Sequence, residues 1–325
     1  IRVHIGAGAW PAGPDVPGGA RVYNPAMKIA DFLGLEWEGP EGPLIEPPRF
    51  SPVIADPSFL FPEEDSRGEW NLLAHSAWGI HRYSSRDGLA WADWGVVVRN
   101  GMRPYLRLLE GGRPGQADYS VLYEAYPSLA LPLTALPIKR AWKSQIAART
   151  SRDLVTWSAP TVLARPELAW MADPALGSSV SNPCLVKAGP EDWRLYYSAS
   201  LSWIEDCGFC EPRYLALAQA RHPEGPFTPL PAPIVDPSRD SLPGVLGGGS
   251  IKVLPFEDGW IGLQNKIYRD PQGQSRSAIF VLRSEDGIAW VPARPLPLLA
   301  PAISGWTSSH VYACDCRFRE KDGTW

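Results

Sequence analysis

The chain has no apolar run able to cross a bilayer, no basic run, no phosphate-cradling loop and almost no helical periodicity. Its longest apolar stretch, SLALPLTALPI from Ser128 to Ile138, is short and broken by proline, so a membrane span is not expected. A net charge of −4 without a Lys/Arg cluster disfavours nucleic acid as a partner. LGGGS at Leu246–Ser250 lacks the Lys-Ser/Thr and the following helix of a nucleotide loop. Only Asn24–Leu35 could form a short helix. The opening IRVHIGAGAW lacks the charged-then-apolar order of a secretory signal, and the five cysteines are an odd, loosely spaced set. Both favour a reducing, cytoplasmic setting. Cys207-x-x-Cys210 and Cys314-x-Cys316 fall short of a four-ligand zinc pattern, so the thiols read as buried or loop residues and no metal is assigned.

What the chain does have is punctuation. Thirty-five prolines and thirty glycines imply many short strands joined by turns. A motif returns about every sixty residues: an aromatic, two apolar strands, a polar turn, another aromatic. The opening aromatics are Trp70, Tyr119, Trp193, Trp260 and Trp325; the closing ones are Trp91, Trp157, Phe227 and Trp290, with Trp37 a further copy. A unit of roughly 50–70 residues with several short strands has the size of a propeller blade. The expectation is an all-β, five-bladed β-propeller forming one domain over 1–325. Its blades run roughly 49–98, 99–164, 165–235, 236–300, and 301–325 plus 1–48, the N-terminal segment completing the last blade.

The first strand of each blade should line the central channel. Aligned on their distance to the opening aromatic, these strands read IADPSFLF (Ile54–Phe61), GMRPYLRLL (Gly101–Leu109), VSNPCLVK (Val180–Lys187), GGSIKVLPF (Gly248–Phe256) and HVYACDCRF (His310–Phe318). Three carry x-Pro at one point, preceded by Asp56, Arg103 and Asn182. A residue before proline favours extended backbone, which would send these three side chains to one channel mouth. A carboxylate there needs a cation, a donor or a substrate. Five residues beyond each opening aromatic stand His75, Glu124, Ser198 and Asn265. Glu124 lies in the apolar run VLYEAY, where enclosure would raise its pKa as a general acid requires; pairing with Arg103 or Arg107 is the alternative. Further candidates are Asp173 in MADPALGSS, Glu211 opening a third strand, Glu205, Asp206 and Asp315. Asp87, Asp153, Glu285 and Asp286 fall in outer turns, where Asp serves turn geometry. The in-phase tryptophans read as core. Trp78, Trp170, Trp203 and Trp306 fall in loops near strand ends, where flat aromatics could hold a sugar face.

ADPSFLF on the first inner strand, the SRD-x-x-x-W and SEDG-x-x-W outer turns, and the five-fold repeat together resemble the five-bladed β-propeller glycosidases. These comprise glycoside hydrolase families 43 and 32 and the mannoside phosphorylases of family 130, and the chain looks like a divergent branch. The resemblance implies a carbohydrate substrate, Asp56 as general base or nucleophile, and a Glu on the third inner strand as acid. That strand holds Asn182, so the acid falls to Glu124 or Glu211. The expected binding set is Arg103, Asn182, Asp173, His75, Trp78, Asn265, Lys266, Trp306 and His310. No cofactor is expected, though the resemblance allows a structural calcium in the axial channel. Two other readings stand beside hydrolysis: a sugar-binding propeller without an acid, and a phosphorylase whose phosphate cradle would be Arg103, Arg107, Lys266 and His310. Carboxylate separations of roughly 5–5.5 Å or 6.5–9.5 Å would imply retention or inversion. Sugar, linkage, mode of cleavage and oligomeric state are open.

Overall fold

The computed structural model describes residues 27–40, 42–109, 119–127, 133 and 136–325. The opening IRVHIGAGAW, Asn24 and most of Ser128–Ile138 lie outside them. The first sheet comprises β1 (Ala55–Leu60), β2 (Trp70–Ser76), β3 (Gly79–Ser85) and β4 (Ala92–Val98). After it come β5 (Gly101–Leu108), β6 (Tyr119–Ala125), the short β7 (Trp142–Lys143), β8 (Gln145–Ser151) and β9 (Thr161–Ala164). Strands β5, β6, β8 and β9 form the second sheet, while β7 joins β10 (Ala172–Asp173) and β11 (Gly177–Ser178) in a small mixed one. The third sheet is β12 (Val180–Gly189), β13 (Asp192–Ile204), β14 (Phe209–Ala220) and β15 (Thr228–Pro229). The fourth is β16 (Val245–Phe256), β17 (Gly259–Arg269), β18 (Ser275–Ser284) and β19 (Val291–Pro292). A five-residue helix, α1 (Ile29–Leu33), precedes them all.

Each four-stranded sheet is an antiparallel meander in chain order, and the aromatics of the repeat mark its joints. Trp70, Tyr119, Trp193 and Trp260 lie at the start of β2, β6, β13 and β17; Trp91, Phe227 and Trp290 immediately precede β4, β15 and β19. The turns between third and fourth strands share one device. Ser85, Ser151 and Ser284 hydroxyls accept the N–H of Gly88, Leu154 and Gly287, while Asp87, Asp153 and Asp286 each accept two following N–H groups. A short acceptor side chain that closes a turn on its own backbone explains the SRD/SED spacing.

The first strands face one another. Leu106 N–H donates to Ser58 Oγ at 2.9 Å, Tyr105 OH to Leu185 O at 2.8 Å, and Val253 N–H to Cys184 Sγ at 3.4 Å. Apolar clusters fill the wedges between sheets: Leu60, Leu73, Leu106 and Val121 between the first and second, and Leu122, Leu195, Tyr196 and Ile251 across the second, third and fourth. Because both faces of β6 are packed, Tyr119–Glu124 is buried throughout instead of alternating with solvent.

The segment His310–Phe318, expected as a fifth inner strand, forms no regular strand. Side chains replace its ladder. Val311 N–H donates to Ser277 O on the fourth sheet, and Val311 O accepts Ser277 Oγ at 3.0 Å and Asn265 Nδ2 at 2.8 Å. Asp315 accepts Ser58 Oγ and Phe59 N–H on the first sheet, and Arg317 pairs with Glu64 at 2.6 Å. Trp325 packs edge-on against Phe32 at 5.0 Å and its indole N–H meets Met27 Sδ. The two ends of the described chain therefore share one hydrophobic cluster.

Candidate active site

The inner strands carry a common irregularity. Register slips by one residue between Ala55 and Ser58, Met102 and Tyr105, Ser181 and Cys184, and Gly247 and Ser250. At these bulges Asp56, Arg103, Asn182 and Gly249 have φ of 53°, 55°, 50° and 61°. The extended backbone expected before proline is thus corrected to left-handed. A bulge of this kind needs a left-handed residue. Asp and Asn tolerate that region, whereas Arg103 bears strain of about 1–3 kcal/mol. Glycine is required at 249: a Cβ there would lie 1.8 Å from Asn265 O.

The bulges turn these residues into a cavity of about 220 Å³. The third residue of each of the five aligned segments lines it: Asp56, Arg103, Asn182, Ser250 and Tyr312. So do His75, Asn265 and Glu211. His75 Nδ1 lies 3.2 Å from Asp56 Oδ2 and 3.4 Å from the Arg103 backbone nitrogen. One nitrogen cannot serve both; the shorter contact, to a carboxylate, makes Nδ1–H the donor to Asp56. Burial pushes the His75 pKa down, Asp56 opposing and Arg103 assisting, so the imidazole is neutral near pH 7. Glu211 at the mouth of the β13–β14 hairpin is the second carboxylate. Burial lifts it to about 7, against the lowering influence of Arg103 and a 3.1 Å hydrogen bond from Tyr312 OH, with Asp56 adding to the rise.

Glu124 does not line the cavity. It is fully buried behind it, its Oε2 2.5 Å from Arg103 Nη1 and its Oε1 3.5 Å from Ser179 Oγ. This corrects its assignment as acid: the carboxylate positions Arg103. Burial works against the Arg103 charge, but Glu124, with smaller help from Tyr126, Asp56 and Glu211, outweighs it and raises the pKa.

Other expected binding residues go elsewhere. Asp173 caps its own turn, accepting Ala175 and Leu176 N–H at 2.8 and 2.9 Å. Lys266 alternates to the opposite face from Asn265 and pairs with Asp240 at 2.6 Å. His310 lies behind Tyr312, stacked at 5.5 Å, with Cys207 Sγ 3.6 Å from its Nε2. Trp78 and Trp306 are exposed and outside the lining, although Trp78 follows the lining residue Ala77. Trp170 donates to Pro231 O and packs on Tyr214. The phosphate cradle does not assemble: of Arg103, Arg107, Lys266 and His310, only Arg103 lines the cavity.

Arg107 lies deeper in the channel, bidentate on Asp315 at 2.9 and 3.0 Å. Lys252 sits nearby, its Nζ 4.9 Å from the Tyr105 ring centre. One carboxylate engaged by a guanidinium is not the set of six to eight oxygens that calcium takes, so these residues do not fit the calcium that the resemblance allowed. A larger cavity of about 930 Å³ opens at the other end of the inner strands. Its described lining carboxylates, Glu224 and Glu320, are both solvent-exposed. The smaller cavity is the one that two enclosed carboxylates, Asp56 and Glu211, line together.

Sequence reasoning missed Tyr312 and the hairpin wall. Tyr312 was detectable, since it shares a column with Asp56, Arg103 and Asn182 in the strand alignment. The wall was not, because it depends on how far β13 and β14 overrun the first and second sheets.

No family model and no curated protein matches the chain. Solved structures do. An endo-1,4-β-xylanase from Bacteroides thetaiotaomicron is similar with a TM-score of 0.54 at 14% identity, over 74% of this chain and 76% of that one. A GH43_12 protein retrieved from a capybara gut metagenome gives 0.53 at 14% identity, over 77% of this chain and 44% of its own. A structure described as a glycoside hydrolase gives 0.52 at 11%, over 83% and 85%. At such identities the likeness is one of fold, an all-β fold shared with structures described as glycoside hydrolases.

Proposed function

We propose that the protein is a glycosidase acting in the 220 Å³ cavity, with Asp56 as general base or nucleophile and Glu211 as general acid. The observation that carries this reading is a pair of carboxylates in one cavity with opposite environments. Asp56 takes the N–H of a neutral imidazole, whereas burial lifts Glu211 to about 7 against the opposing charge of Arg103. A carboxylic acid held protonated near pH 7 beside a second carboxylate is the pair that glycoside hydrolysis needs. Arg103, Asn182 and Asn265 then hydrogen-bond the substrate, and Glu124 holds Arg103 in place.

The same reading takes the chain as one domain and a five-unit ring. Residues 301–325 serve as the fifth unit between the fourth and first sheets, completed by the N-terminal segment, residues 1–48. The support is the shared column of five residues and the contacts that run from Ser277 through Val311 and Asp315 to Phe59.

The test is a panel of chromogenic glycosides with and without phosphate. Hydrolysis is expected, with kcat/KM falling above about pH 7 as Glu211 loses its proton. Asp56→Asn and Glu211→Gln should each lower kcat by about 10²–10⁴-fold with the fold intact. Phosphate-dependent release of a sugar 1-phosphate would point to a phosphorylase, and saturable binding without products to a lectin-like propeller.

A further inference from the structure

We infer that the cavity accepts one neutral, terminal sugar, so that the enzyme trims chain ends and does not cut within a chain; this rests on the glycosidase reading. The first observation is room. At about 220 Å³ the cavity falls below the roughly 300–1,000 Å³ of sites for drug-sized ligands, which leaves space for a single ring.

The second is a bar across the mouth. Strands β13 and β14 run for 13 and 12 residues, against 11 and 10 for β17 and β18 in the fourth sheet and 7 for each of β2, β3, β6 and β8 in the first two. The overhang places Leu201, Gly208, Phe209, Cys210, Glu211 and Pro212 along the cavity wall. Its tip is pinned on both sides. Asp206 Oδ2 accepts Ser275 N–H at 2.7 Å, and Cys207 Sγ lies 2.9 Å from Ser275 Oγ on the fourth sheet. Opposite, Gly208 approaches Pro137 so closely that a Cβ would come within 2.8 Å of the Pro137 Cβ. A polysaccharide threading through the site would have to displace this bar.

The third is charge. Among the described lining residues the charged groups are Asp56, Arg103 and Glu211, and Arg103 is already answered by Glu124 at 2.5 Å. No cation is left for a uronate or sulfate, which would face Asp56 uncompensated. Leu136, Ile138, Leu201 and Phe209 offer instead an apolar side for the C–H face of an uncharged ring.

Two measurements test this together. End-labelled neutral xylo-, arabino-, galacto- and manno-oligosaccharides are digested and the products followed with time. 4-Nitrophenyl glycosides of neutral sugars are compared with the corresponding uronides. Monosaccharide as the first product, with chains shortening one unit at a time, is expected. The uronides should show kcat/KM at least about a hundredfold lower, the cost of a buried unpaired charge. Early mid-length fragments overturn terminal action, and equal rates on uronides overturn the neutral-sugar assignment; in either case hydrolysis itself survives. Neither turnover nor binding of any sugar by the wild-type chain overturns the glycosidase reading and this inference with it.

Discussion

Two carboxylates at different depths of the channel receive opposite treatment. Asp315 is almost wholly buried, and burial alone would push its pKa up; Arg107, bidentate on it, brings it down to about 2. Ser58 Oγ and Phe59 N–H also reach it. Among the described residues Glu211, at the mouth, has one phenol as hydrogen-bond partner and no guanidinium in contact, and burial carries it to about 7. Enclosure is common to both, so it does not decide the charge state. The number and kind of donors does. The deep site spends its donors on joining the C-terminal segment to the first and second sheets. The mouth leaves Glu211 under-solvated, the condition that the proposed proton transfer near pH 7 requires.

Removing the deep anion should have the largest effect. Asp315→Ala strands the buried Arg107 guanidinium and unties three segments, so a loss of about 3–5 kcal/mol is expected in urea or thermal unfolding. The pH signature follows from the sign of the shift. The folded pKa lies below the ordinary 3.8, so the stabilisation is complete above about pH 4 and is lost as pH falls toward 2. An unfolding profile without this acid limb would mean that the pair contributes little.

The same operation at the mouth should reverse the sign. The folded pKa of Glu211 lies above the ordinary 4.5, so its ionisation destabilises the fold progressively from about pH 4.5 to 7. Glu211→Gln removes that cost. The variant should be inactive yet more stable by about 1–3 kcal/mol at pH 8, with no gain at pH 4. Equal destabilisation at both pH values would make Glu211 a structural residue.

Glu124 falls between these cases. Its partner Arg103 is a cavity residue, so Glu124→Gln should cost about 1–3 kcal/mol of stability and also lower kcat/KM about 10–100-fold through a misplaced guanidinium. Loss of stability with unchanged kinetics would separate Arg103 from the substrate.

How much of this could be read from the chain depends on the range of the interactions. The outer turns were legible because Ser85–Asp87, Ser151–Asp153 and Ser284–Asp286 act on backbone only a few residues away. The aromatics that mark strand starts were legible for the same local reason. The convergence of Asp56, Arg103 and Asn182 could be proposed from strand alignment, but for the wrong backbone state: a tertiary bulge overrides the extended preference before proline at all three. Glu124 and Glu211 could not be ranked, because one residue, Arg103, contacts the first and not the second. Lys266 was misplaced although period two put it on the face opposite Asn265, a constraint that needed no structure to apply.

The finest test of the mouth is Tyr312→Phe. Tyr312 OH donates to Glu211 Oε1, which stabilises the carboxylate form and lowers its pKa. The ring stays stacked on His310, interplanar angle 11°, so the substitution deletes one oxygen and little packing. Glu211 should then hold its proton to higher pH, and the alkaline limb of kcat/KM should move upward from about 7 by at most about one unit, the worth of one hydrogen bond to a charged group. At pH 6, where Glu211 is protonated with or without the phenol, the two proteins should differ little. A purely structural Tyr312 would instead lower activity by the same factor at every pH, leaving the limb where it was. A downward shift would mean that the phenol accepts from a protonated Glu211 and holds its proton in place.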